Sequence, residues 1–158
     1  MVRRMTFFSV LAVLVLGLIA GCAPNSPAAP SAASSAASGA MDMSHLKMAA
    51  LSQMPAEVQS APVTVQEAYR FNVANPDLMK QVPCYCGCGA VGHTSNYACY
   101  VDPSSGDKIT FDQHALGCGI CVDITRDAMR MSAQGESPQA IKAYVDKTYS
   151  QYGPSNIP

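Results

Sequence analysis

The stretch "VPCYCGCGAVGH", residues 82–93, places cysteines at 84, 86 and 88 with glycine beside two of them. No other feature constrains the fold as strongly, because three thiols this close must all be given partners. In an extended segment alternate side chains point the same way, so the three sulfurs share a side. Gly87 and Gly89 permit the backbone to curl until those sulfurs converge. Three more cysteines follow, Cys99 alone and then Cys118 and Cys121 as a C-x-x-C pair. Whether the six serve as disulfide ends, a redox pair or a metal nest depends first on the compartment.

The N-terminus has the form of an export signal. "MVRRM" is basic, "TFFSVLAVLVLGLIA" is apolar, and small residues follow at once. The apolar run falls short of the roughly 20 residues that a spanning helix needs. Ile19, Ala20, Gly21 and Cys22 resemble a bacterial lipobox, in which the cysteine becomes the lipidated first residue. Residues 1–21 are therefore expected to be a lipoprotein signal peptide. Cys22 is expected to be a lipid anchor on the extracytoplasmic side of the bacterial cell envelope. Each acyl methylene buried in the membrane contributes about 0.8 kcal/mol, so several chains hold firmly. Loss of Arg3 and Arg4 with the signal leaves eight basic against eleven acidic residues, a formal charge of −3. The charges are scattered, with no basic stripe, so no nucleic-acid partner is expected.

Residues 22–61 read as anchor and flexible linker. The tract 23–40 contains only Ala, Pro, Ser, Gly and one Asn, and cannot bury enough apolar surface to order itself. As a tether it spans roughly 25 Å. The segment after it is rich in methionine. Met41, Met43, His45 and Met48 form a candidate weak auxiliary metal site, because thioethers suit Cu(I). The simpler expectation is a partly helical linker whose methionines pack on the domain. Residues 62–158 are enough for one modest domain.

That domain reads as mainly α, a small single helical unit with a short β-hairpin. Thr64 and Glu67 have capping-box spacing at the head of "TVQEAYRFNVANP". Asn75 and Pro76 open a second short helix, which Pro83 stops. "YACYV" and "KITF" read as two strands around "DPSSGD". A helix is expected from Cys118 to Ala133 with Gly135 as its stop. Ser137 and Pro138 then begin a last helix, whose Ile141, Tyr144, Val145 and Tyr149 form one buried stripe.

The cysteines admit three chemistries. An even number in an exported chain suggests disulfides, although a bridge within the triplet would be strained. "CGIC" at a helix start is the arrangement of thiol–disulfide oxidoreductases, without the βαβ surroundings of thioredoxin. A metal site uses every feature. Cys118 and Cys121 lie on one helix face, with His114 joining them if the helix starts early. Thiolates select Cu(I), Zn(II) or iron–sulfur clusters. Zn(II) takes four ligands and would leave two cysteines idle. Ferredoxin and haem-attachment spacings are absent. If each sulfur bridged two ions and each ion took three sulfurs, about four Cu(I) would close the set.

"PCYCGCG", the following "GH", the further cysteine and "DQHALGCGICVDI" together resemble the exported PCYCGC-motif lipoproteins, over about residues 64–152. The resemblance implies soft-metal binding, chiefly copper. It carries Cys84, Cys86, Cys88, Cys99, Cys118 and Cys121 over as ligand candidates. His93 and His114 also match family positions, as ligands or as groups that orient a ligand. The expected function is a membrane-anchored Cu(I)-binding protein for copper sequestration, delivery or tolerance. It would hold several Cu(I) ions, with Zn(II) as the alternative metal, and an envelope copper protein as partner. No enzyme is expected. The alternatives are a thiol–disulfide oxidoreductase using the CGIC pair, and a zinc- or disulfide-stapled interaction module.

Overall fold

The computed structural model describes residues 43–102, 104 and 108–157. The expected signal peptide, Cys22, the Ala/Pro/Ser tract and Met41 lie outside the described residues. Among the described residues no helix is long and apolar enough to cross a membrane.

The fold is mainly helical, with one two-stranded antiparallel sheet. Its elements in chain order are α1 (Ala56–Gln59), α2 (Val63–Ala74), α3 (Pro76–Met79), β1 (Val101–Asp102), β2 (Thr110–Phe111), α4 (Gly119–Ala133) and α5 (Pro138–Tyr149). Helices α2 and α5 both pack against α4. Tyr69 and Phe71 from α2, Ile124 and Met129 from α4, and Ile141 and Val145 from α5 make the fully buried centre.

The last two helices form as their sequence dictates. Gly135 adopts φ of 78°, a left-handed conformation that glycine tolerates best, and ends α4. The Glu136 amide then reaches back to the Met131 carbonyl at 3.0 Å, which satisfies one of the carbonyls left open at the helix end. Ser137 caps α5 through its hydroxyl, which accepts from the Ala140 amide at 3.2 Å, with Pro138 in the first helical position. Ile141, Val145 and Tyr149 are buried along one side of α5, while Tyr144 is half-buried with the Arg130 guanidinium over its ring.

Three local expectations are corrected. Thr64 and Glu67 make no capping box, because α2 already begins at Val63 and Thr64 lies inside it. The Gln66 side chain instead closes the preceding turn, donating to the carbonyls of Gln59 and Ala61. The Asn75 side chain donates to the carbonyls of Lys47 and Phe71 and does not cap α3. Tyr97–Cys99 forms a 3-10 turn in place of strand, so the hairpin shrinks to Val101 opposite Phe111 and Asp102 opposite Thr110.

The methionine-rich segment packs onto the helices. The Ala49 amide donates to the Arg70 carbonyl at 3.1 Å and the Arg70 Nε donates back to the Ala49 carbonyl at 2.8 Å. Met54 and Val58 are buried, and Met43 and Met48 lie against the core. The folded body thus extends upstream of residue 62.

Candidate metal centre

The cysteine loop follows α3, which ends at Met79, four residues ahead of Pro83 and so before the proline expected to stop it. Val82, Pro83, Cys84 and Tyr85 are all buried although none lies in a helix or strand. Gly87 then takes φ of 83°, turning the chain into a 3-10 turn over Cys88–Val91. That turn divides the triplet. Cys84 and Cys86 keep their sulfurs together at 3.4 Å and face α4, whereas Cys88 is swung toward Cys99, 3.5 Å away. The expected common side of the extended strand is therefore replaced by a curl around two neighbours.

Helix α4 supplies the opposite wall. Cys118 sits at its N-cap and Cys121 in its first turn, with their sulfurs 3.0 Å apart. Cys121 lies 3.5 Å from Cys84 and 3.6 Å from Cys86. The helix does not extend back to His114. That residue occupies a separate 3-10 turn, His114–Leu116, which still brings its Nε2 to 3.4 Å from the Cys86 sulfur. All six cysteines are free thiols. Cys121 touches three other sulfurs, so the geometry expresses no single disulfide pairing.

Overlapping sets of donors meet the requirement for a metal. Cys84, Cys86, Cys99 and Cys121 form one, Cys86, His114, Cys118 and Cys121 another, and Cys86, Cys88, Cys99 and His114 a third. Within each set the donor atoms lie within 4.8 Å of one another. Two sulfurs each about 2.3 Å from one ion at a tetrahedral angle stand about 3.8 Å apart. The contacts of 3.4–3.6 Å need to open by only a few tenths of an ångström and the 3.0 Å contact between Cys118 and Cys121 by about 0.8 Å, so the thiol-rich cluster could hold a metal ion.

The thiols carry charge unevenly. Cys84 is held far below the ordinary thiol range by the thiols of Cys121, Cys88 and Cys99 turned toward it. Cys121 and Cys88 are pushed up, chiefly by their hydrogen bonds to Cys84. Cys99 is pushed up by Cys121 and then by Cys84, and Cys86 by burial and then by the Cys84 charge. One thiolate thus forms readily and opposes the next. A bound cation removes that opposition and releases the remaining protons.

The other candidate residues are placed as follows. His93 joins no donor set. Its Nε2 lies 3.4 Å from Asp112 Oδ2, and its ring packs edge-on to His114 with centroids 5.0 Å apart. Asp112 also accepts from the His114 amide at 2.7 Å, at the entry to the His114–Leu116 turn. It therefore braces both histidines. His45 is exposed and in none of the sets, and Met43 and Met48 are occupied in packing.

Sequence reasoning missed the residues that hold the cluster from behind. Buried Asn96 takes the Val82 carbonyl through its amide at 2.8 Å and the Cys121 carbonyl through its Nδ2 at 3.2 Å. Thr125 stands 2.8 Å from Asn96 Oδ1 and 2.9 Å from the Tyr100 hydroxyl, and accepts from Asn72 Nδ2 at 3.1 Å. On the other side lies the C-terminal tail. Asn156 Oδ1 accepts from the Cys84 amide at 2.6 Å, its own amide donates to the Cys84 carbonyl at 3.2 Å, and its Nδ2 donates to the Cys88 sulfur at 3.4 Å. A Cβ on Gly153 would stand 2.9 Å from the Tyr85 carbonyl oxygen, so only glycine lets the tail lie this close. Tyr85 in turn donates to Asp146 of α5 at 2.6 Å, and burial together with that carboxylate pushes its hydroxyl up to about 12. A polar residue in a short terminal tail carries no periodic signal. Only its neighbouring "GPS" turn residues marked the place.

Residues 10–158 match the family described as "protein of unknown function with PCYCGC motif", and the chain belongs to that family. No curated protein and no solved structure matches it.

Proposed function

For this member of the PCYCGC family we propose a membrane-anchored, extracytoplasmic Cu(I)-binding protein that sequesters, delivers or detoxifies copper. The supporting observation is the continuous run of sulfur contacts from Cys118 through Cys121 to Cys84 and Cys86, with Cys88 and Cys99 completing a thiol-rich nest. Thiolates are soft donors that select Cu(I), and one sulfur can bridge two ions. Six sulfurs and one imidazole exceed the four ligands of a single Zn(II), so a multinuclear Cu(I)–thiolate cluster uses the whole set. The copper is cargo and no reaction is catalysed. An envelope copper protein would supply or accept it, and Cys22 would tether the domain to the membrane.

Anaerobic Cu(I) titration of the reduced protein, read by thiolate-to-copper absorption and metal analysis, is the test. About four equivalents per chain are expected from the valence count. Saturation at one equivalent would remove the cluster, and native protein with all six cysteines oxidised and no metal would remove the copper reading.

A second reading rests on the 3.0 Å contact between Cys118 and Cys121 at the start of α4, the placement of a thiol–disulfide oxidoreductase pair. Insulin-reductase activity that disappears in Cys118→Ser would favour it.

A further inference from the structure

The seven donors differ in how far solvent can reach them. Cys84, Cys99 and Cys121 have no exposed surface and Cys88 only 3%. Cys86, His114 and Cys118 are half-buried, and with Cys121 they form one donor set. The backbone around Cys118 is also open. A Cβ added at Gly117 or Gly119 would meet nothing within 4 Å. A surface cleft of about 290 Å³ is lined by Cys118 together with Thr64, Val65, Leu116 and Val122, with Asp123 at its side.

We propose that the cluster is graded, with Cys86, His114 and Cys118 as an exchange mouth and Cys84, Cys88, Cys99 and Cys121 as a retaining floor. The partner chemistry is a soft donor, the thiolate or thioether of a copper-carrying protein, presented into the cleft beside Cys118. This rests on the copper reading above. Cu(I) is satisfied by two or three soft ligands, so an incoming sulfur can bind while outgoing ones still hold it. Imidazole is a harder donor than thiolate, which makes His114 the ligand released most easily. In the transfer a bond from copper to the partner sulfur forms as the bond to His114 breaks, and the bonds to Cys118 and Cys86 then break in turn as a second partner donor closes on the ion. Copper stays Cu(I), and the freed thiolates take protons from solvent. The floor sulfurs offer no such route, because an incoming ligand would have to open the core to reach them.

The test is to load the reduced full domain with Cu(I) anaerobically and mix it with excess chromogenic Cu(I) chelator in a stopped-flow instrument. Wild type should release copper in two phases. The fast phase should be lost in Cys118→Ser and reduced in His114→Ala, while both variants keep the slow one. In Cys99→Ser the fast phase should remain and the slow amplitude should shrink. A single phase in loaded wild type, or a fast phase untouched by Cys118→Ser, would overturn the graded mouth alone. Failure to take up Cu(I) at the loading step would take down the copper reading and the mouth with it. Limited alkylation of the metal-free wild type, mapped by mass spectrometry, needs no folded variant. Cys118 and Cys86 should react first, and early modification of Cys84 or Cys99 would also overturn the assignment.

Discussion

The two halves of the domain are ordered by different means. Helices α4 and α5 meet along apolar stripes, with Ile124, Met129, Ile141 and Val145 buried in regular backbone that satisfies its own hydrogen bonds. The segment 82–101 is almost as deeply buried but has only 3-10 turns and the start of a two-residue strand. Its polar backbone is satisfied by the Asn156 side chain of the C-terminal tail on the amide of Cys84, and by the backbone amide of Asn96, within the segment, on the carbonyl of Val82. The helical half is held by burial and the cysteine half by side chains brought from elsewhere. Stability and metal binding should therefore be separable by mutation.

The largest expected separation is at Cys121. Its sulfur contacts those of Cys84, Cys86 and Cys118. Cys121→Ser should abolish cooperative loading, seen as loss of all but about one equivalent in a Cu(I) titration, because both walls lose their shared donor. The metal-free fold should survive, with its helical circular dichroism retained. The complementary change is Ile141→Ala in α5, fully buried and in the helix that carries none of the sulfurs. Deleting such a side chain costs about 2–5 kcal/mol. Denaturant unfolding should record that loss while the copper stoichiometry stays at the wild-type value.

Acid and alkali should act in opposite ways on copper binding and on the stability of the metal-free domain. Cys86, Cys88, Cys99 and Cys121 are pushed up in the folded protein, against one thiol, Cys84, that is pushed down. A raised thiol contributes stability below its unfolded value, about 8.5, and that contribution is lost as the pH rises toward the folded value. With four raised against one lowered, the metal-free domain should weaken above about pH 8.5, measured as a falling unfolding midpoint. Metal loading displaces the same protons, so copper affinity should fall as the pH drops, and proton release should accompany titration in weak buffer.

This division also explains what the sequence made legible. The α4 stop at Gly135 and the Ser137 cap are local patterns that appear where expected, and of the periodic stripe Ile141, Tyr144, Val145 and Tyr149 all but the half-buried Tyr144 are buried. The cysteine spacing announced the nest, because thiols are rare and soft enough to be diagnostic. Hidden from the sequence were the partners that only tertiary contact supplies. Asn96 and Thr125 look like ordinary polar residues until they are found fully buried beneath Cys121. Asn156 is 72 residues from the amide it accepts from. Whether His114 shares the helix with Cys118 was left open by the sequence, and it does not. Open backbone at Gly117 and Gly119 lets α4 start late, and a separate turn delivers the imidazole.

Asn156 allows a finer cut. Asn156→Ala leaves the buried Cys84 amide without its acceptor, a loss of about 1–3 kcal/mol. Asn156→Asp keeps an acceptor for that amide but removes the donor to Cys88 and adds negative charge beside it. If the tail only braces the loop, Asp should restore both stability and copper affinity. If the bond to Cys88 also tunes that sulfur, Asp should restore stability alone, with a changed copper charge-transfer spectrum.

The smallest effect is expected at Ser137, and it closes the comparison from the helical side. Its hydroxyl caps α5 at an exposed position, and Ser137→Ala should cost about 1 kcal/mol. That loss overlaps with the one expected for Asn156→Ala, yet the two residues belong to different kinds of order. The cap acts within one helix turn, and its removal frays the start of α5 without reaching a sulfur. The Asn156 clasp joins the tail to Cys84 and Cys88 of the thiol cluster, so its removal should shift copper affinity as well as the unfolding midpoint. Equal stability losses with unequal copper affinities would establish the division. A Ser137→Ala variant that weakened copper binding as much as Asn156→Ala would show that the helical half and the nest unfold as one.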